Sequence, residues 1–165
     1  MIRLWDYVKI FCERASENSF TYLMLNNLGV ILLLWLVAAI WIYYAACAGA
    51  PRRRICRLAL GCYLFFFVKE IFRINRSIDV FSRGNSIPYL DVLINLILPH
   101  GVIEYLAFLL AAAFALLWLG RSLEKGSWHY PGHRALILPA SLVVLAAAVE
   151  STITPYIYEI YLLSN

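Results

Sequence analysis

Leu28 to Ala50 is an unbroken run of 23 residues without a charged side chain. A helix needs about 20 such residues to cross the ~30 Å hydrocarbon core of a bilayer. Within hydrocarbon every backbone amide and carbonyl must be satisfied inside its own element, which leaves helices or closed barrels. Alternating in-and-out hydropathy would signal barrel strands, but here the apolar runs are continuous. Val102 to Leu119 forms a second run interrupted only by Glu104, and Leu136 to Thr154 a third, with Glu150 near its end. Hydrophobic residues make up 63% of the 165-residue chain, against roughly 45–50% in soluble domains. Charged residues are 15%, where about 25% is usual, and mean hydropathy is +0.75. This composition excludes a disordered chain. A net charge of +4, broken up by long uncharged runs, argues against a nucleic-acid binder built on a basic face.

The expected fold is an all-α integral membrane protein with four to five transmembrane helices. Residues 1–27 are expected to form an amphipathic helix lying in the interface. Ile2, Leu4, Trp5, Val8 and Phe11 are apolar, while Arg3, Asp6, Lys9 and Glu13 recur every three or four positions. The same charges break up any signal-peptide core, so the N-terminus is expected to be retained. Residues 28–155 form the polytopic membrane domain, and 156–165 a short tail with Tyr156, Tyr158 and Tyr161 at an interface. A further span is expected over about Ile55 to Phe72. Leu58 to Val68 alone is too short to cross, so Arg57, Lys69 and Glu70 would snorkel or pair. Ile87 to Leu98 reads as a half-helix broken by Pro99-His100-Gly101, because proline disfavours helix at the residue before it and lacks a donor.

Ionisable residues inside spans carry the sharpest functional signal, since a central charge costs about 2.5–3.5 kcal/mol on insertion scales. His100, Glu104, Glu150 and Thr154 are the candidate intramembrane polar site. Glu104 shares a helix stripe with Ala111 and Ala115, and Glu150 lies one turn after Ala146 and Ala147. Small residues of this kind let backbones approach closely in lipid, which turns both carboxylates toward helix–helix contacts. Two readings stay open: fastening of helices, or binding and relay of an ion or proton. No metal or other cofactor is expected, because a single His accompanies the two carboxylates. Asn26 and Asn27 are placed to cap the first long helix. Arg52, Arg53, Arg54 and Arg57 form a basic patch for anionic headgroups or an acidic partner, and their density puts that loop on the cytoplasmic side. The four cysteines make no CxxC. GxSxG, HExxH and phosphate-cradling glycine loops are all missing, so an enzyme is not expected.

The stretch ILPHGVIEYLAF, residues 97–108, resembles the signature of the stage II sporulation protein M family: leucine-Pro-His-Gly, two apolar residues, then Glu. LAAAVESTITP, residues 145–155, resembles that family's second signature, an Ala-rich helix with Glu followed by Thr-Pro, and Asn26-Asn27 resembles its N-terminal pattern. The resemblance covers roughly residues 20–158. Aromatic residues fill the first two spans where family members carry more glycines, so the chain looks like a divergent, compact member. The motif positions are Asn26, Asn27, Pro99, His100, Gly101, Glu104, Glu150, Thr154 and Pro155, with backbone breaks implied at Pro99, Gly101 and Pro155. The founding member of the family holds a peptidoglycan-degrading complex at the septal membrane of spore formers, and relatives occur in organisms that never sporulate. What the resemblance implies is a non-enzymatic, multi-pass scaffold of the cell membrane that anchors or recruits protein partners. An ion or small-solute transporter using the His/Glu site is the alternative. The expected partners are the lipid bilayer, membrane-associated proteins and, as one option, further copies of the chain, with no nucleic acid.

Overall fold

The structure, a computed structural model, describes residues 19–129 and 131–164, and side chains through position 152 apart from those at 19, 85, 96 and 130. It is an all-α membrane protein. Helix α1 spans Ser19–Ala48 and α2 Arg52–Asn85. A short helix α3, Tyr89–Asp91, leads through a π-helical segment, Val92–Ile97, into α4, Leu98–Lys125, and α5 spans His133–Ser164. Residues 1–18 of the expected interfacial helix lie outside the described residues, and 19–27 form the first turns of α1.

Backbone chemistry sets the turns. Gly49, at φ +59°, leaves α1 in the left-handed region, and Pro51 (φ −64°, ψ 135°) directs the chain into α2. Ser82 and Ser122 close α2 and α4, where the next residue beyond the helix is again left-handed. The Ser82 carbonyl accepts from the amides of Ser86 and Ile87, and the Ser82 hydroxyl donates to the Ile87 carbonyl at 2.6 Å. The Ser122 carbonyl accepts from Gly126 (φ +61°) and Ser127, while its hydroxyl accepts from the His129 amide at 3.2 Å. Carbonyls that a helix end would orphan are thereby satisfied.

The core is built from small and aromatic residues. Ala38 of α1, Ala59 of α2, Ala107, Ala111 and Ala115 of α4, and Ala146 and Ala147 of α5 are all 0% exposed. In lipid, where burying a leucine gains little, this close approach of backbones is what holds helices together. The Trp35 and Trp118 rings lie 5.4 Å apart, and Trp128 meets Trp118 edge-on at 5.1 Å. Tyr63 of α2 donates its hydroxyl to the Leu34 carbonyl of α1 at 2.7 Å, a buried bond joining the first two helices.

Among the described residues three helices, Phe20–Ala48, Leu98–Lys125 and His133–Thr152, are long and apolar enough to cross a membrane. That is fewer than the four to five expected. Helix α2 is long, but only Leu58 to Val68 is free of charge between Arg57 and Lys69. It packs into the bundle through Ile55, Ala59 and Tyr63, and its C-terminal half carries Lys69, Glu70, Arg73, Arg76, Asp79 and Arg83.

Pro99-His100-Gly101 does not break the helix. The chain is helical from Tyr89 to Lys125, and the irregularity sits one turn earlier, at Val92–Ile97. Pro99 follows directly on the π segment, whose wider turn leaves room for the ring beside the preceding carbonyls. Gly101 keeps a negative φ, and a methyl group there would only touch Ile97 at 3.4 Å, so its conformational freedom is not used. Pro155 likewise does not end its helix, since α5 continues to Ser164 and takes up much of the expected tail. Just before it, the Ser151 and Thr152 hydroxyls both donate to the Ala148 carbonyl, at 3.2 and 2.6 Å.

Candidate functional site

Two layers of polar contacts, one at each end of the bundle, tie the helices together. At one end Arg52, the first residue of α2, lies 3.5 Å from Glu124 near the end of α4, both at the surface. At the other end the candidate site assembles. Asn27 of α1, 5% exposed, donates its side-chain amide to the Glu104 carboxylate of α4, and Asn26 donates to the Asn27 oxygen at 3.2 Å. His100, 6% exposed, places its Nε2 3.8 Å from a carboxylate oxygen of Glu150 on α5. Glu104 also lies within electrostatic reach of Glu150 and of Arg73 on α2. Residues from α1, α4 and α5 thus form one layer, with α2 beside it.

The geometry follows from helix periodicity. His100 and Glu104 are one turn apart on α4 and so share a face, which is continued by the buried Ala107, Ala111 and Ala115. Glu150 follows the fully buried Ala146 and Ala147 on α5. The small residues draw the helices close, and the carboxylates stand where that packing ends. From Glu104 to Glu124, at about 1.5 Å per residue, is ~30 Å, the thickness of a hydrocarbon core. Asn27 to Ala48 spans about the same distance.

Asn26 and Asn27 do not cap a helix. They lie two turns inside α1, because Phe20 to Leu25 continues the apolar helical pattern upstream. Their role is a cross-helix polar pair. Thr154 and Pro155 lie on the backbone of α5, and their side chains are outside the described ones. Arg52, Arg53, Arg54 and Arg57 are far from this layer, exposed in the first turns of α2. Among the described residues there is no group of three or more His, Cys, Asp or Glu arranged to hold a metal ion.

Glu70, expected to snorkel or pair, is only 15% exposed at its side chain, takes a 2.6 Å hydrogen bond from Arg73 Nε and lies 3.8 Å from Lys69. Its Arg73 partner was not foreseen, although the i,i+3 spacing was the available signal. The Tyr105 hydroxyl is buried beside the layer with no hydrogen-bond partner among the described residues, its ring 6.5 Å from that of Phe67. Nothing in the sequence separates Tyr105 from the other tyrosines. No family model, curated protein or solved structure matches the chain.

Proposed function

We propose that the protein is a non-enzymatic, multi-pass scaffold of the cell membrane, related to the stage II sporulation protein M family, that holds a partner protein at the bilayer surface. One observation carries this reading. Asn27 with Glu104 and His100 with Glu150, drawn from the three separate motifs of the resemblance, pair across helices. Polar groups committed to partners on neighbouring helices rigidify a bundle. The ~30 Å axial distance of that layer from the arginine end suits a position at the opposite edge of the hydrocarbon, where carboxylates cost less than at the centre.

The partner is an acidic, amphipathic segment, and its place is the C-terminal half of α2. That half offers a groove of about 660 Å³ lined by Lys69, Phe72, Arg73, Arg76, Val80 and Phe81. Phe72 is 71% and Val80 63% exposed. A basic and aromatic helix face matches acidic residues flanking an apolar stripe. The test compares wild-type protein with Phe72→Glu and Arg76→Glu after mild extraction from its native membrane, on a native gel. The scaffold reading expects a wild-type complex that both variants disrupt without change in melting temperature. A wild-type chain that migrates alone, or a complex indifferent to both changes, rules it out.

The transport reading draws support from the placement of His100, Glu104 and Glu150 on facing helices at one end of the bundle. Proton or cation flux into proteoliposomes, abolished by Glu104→Gln in a protein that still folds, would replace the scaffold by a transporter.

A further inference from the structure

A groove of about 300 Å³ opens between the end of α1 and the start of α2, bounded by Ile40, Trp41, Tyr44, Ala50, Arg54 and Leu58. Its walls and its rim have different chemistry. Ile40, Tyr44 and Leu58 are 55%, 50% and 44% exposed, yet they lie beside or within apolar runs. Helix α1 is long and apolar enough to cross a bilayer, so its exposed Ile40 and Tyr44 meet acyl chains, and Leu58 lines the same groove from α2. Trp41 and Tyr44 stand edge-to-face at 5.8 Å and make one rigid wall. Arg54 forms the rim, one turn from Leu58 on the same stripe of α2.

Charge around the rim is unbalanced. Arg52 has Glu124, but Arg53, Arg54 and Arg57 have no carboxylate partner among the described residues. The first turn of α2 contains no acidic residue. Two of these cations, Arg53 and Arg54, stand in the first turn at the positive end of the helix dipole, which is unfavourable for the helix itself. An external anion at that level removes the conflict.

We infer that this groove is a binding site for an anionic phospholipid, with the phosphate on Arg54 and one acyl chain along Ile40, Trp41, Tyr44 and Leu58. The phosphate takes charge-assisted hydrogen bonds from the guanidinium, and the chain fills an apolar channel that a soluble anion would leave empty. Arg57 lies one turn from Arg54 and adds to the local field. Arg53 points to another side of α2, because adjacent helical positions do not share a face. The inference does not depend on the scaffold reading, since the groove and the proposed partner face lie at opposite ends of α2.

The test is native mass spectrometry of the purified full chain, released from nanodiscs of equal phosphatidylglycerol and phosphatidylcholine. The expected result is retention of phosphatidylglycerol over phosphatidylcholine by wild type. Arg54→Gln should lower that retention about fivefold, the equivalent of ~1 kcal/mol per interfacial arginine. Leu58→Trp should lower it too, by filling the groove at unchanged charge. Arg53→Gln should have the smaller effect. Free sn-glycerol 3-phosphate, which has the anion without the chain, should displace nothing at equal concentration. Equal losses in Arg53→Gln and Arg54→Gln would reduce the site to a diffuse basic surface and overturn the proposal. So would displacement by glycerol phosphate, or full retention in Leu58→Trp. Should Arg54→Gln fail to fold, Leu58→Trp and the glycerol phosphate arm decide alone.

Discussion

Asn27 on α1 and Glu104 on α4 are joined by a side-chain hydrogen bond across 77 positions of sequence. The bond runs from an amide donor to a carboxylate, and both groups sit where the alanine-lined packing of the bundle ends. Glu104→Gln keeps an acceptor oxygen for Asn27 and is expected to leave the melting temperature close to wild type. Glu104→Ala strands the Asn27 donor and is expected to lower stability by about 1–3 kcal/mol. Thermal melting of the purified variants distinguishes the two. Equal melting of Gln, Ala and wild-type proteins would show that the carboxylate does not fasten the helices.

A double-mutant cycle isolates the pair. Asn27→Ala and Glu104→Ala together should cost less than the sum of the single changes, with a coupling of about 0.5–3 kcal/mol. Strict additivity would mean that the two residues do not act on each other in the folded protein.

Tyr63→Phe removes only the hydroxyl that reaches the Leu34 carbonyl at 2.7 Å. Because Tyr63 is 2% exposed, water is not at hand to replace it. A loss of about 1 kcal/mol is expected, read as a lower unfolding midpoint in denaturant. An unchanged midpoint would show that the bond adds nothing to the contact of α1 with α2.

Ala111 is 0% exposed at the centre of the bundle. Ala111→Leu is expected to cost about 1–3 kcal/mol through overpacking, whereas Ala113→Leu, on the exposed side of the same helix, should be nearly neutral. If both variants melted alike, close packing at the alanine stripe would not be what holds α4 in place.

The arginine end also fixes an orientation. Arg52 meets Glu124, so the turn before α2 and the loop after α4, with Arg121, Lys125 and Arg134 near it, share one side. The density of basic residues in the Arg52–Arg57 turn predicts a cytoplasmic location. Ser127→Cys, in a background without the native cysteines, should resist a membrane-impermeant maleimide in intact cells and react after permeabilisation. Labelling of intact cells would reverse the orientation.

Long apolar stretches made the three span-length helices legible from sequence, because their length alone decides what they are. Helix ends were less so. Asn26-Asn27 has the chemistry of a cap, but a cap needs a chain that is not already helical, and Phe20 to Leu25 is. Helix α2 runs on through Arg83, Gly84 and Asn85, residues of loop-like chemistry, because no proline stands between Pro51 and Pro88 to stop it. The pairing of His100 with Glu150 and of Asn27 with Glu104 depends on which helices neighbour each other. Periodicity gives the face a residue lies on, but not the helix that face meets.

The π segment at Val92–Ile97 sets the angular phase of helix α4. It holds one residue more than an α-helical turn would, so the chain beyond it is rotated by about 100° relative to a continuous α-helix. Val92 is buried against Ile78 and Ile87 on one side of the break, and His100 is buried near Glu150 on the other. Both sides face inward because that offset lies between them. Removing a single residue from the segment would give a more regular ladder and a worse protein: with α4 held by its alanines, Val92 would swing away from Ile78 and Ile87. Regularity and correct facing are in competition here, and the chain has kept the facing.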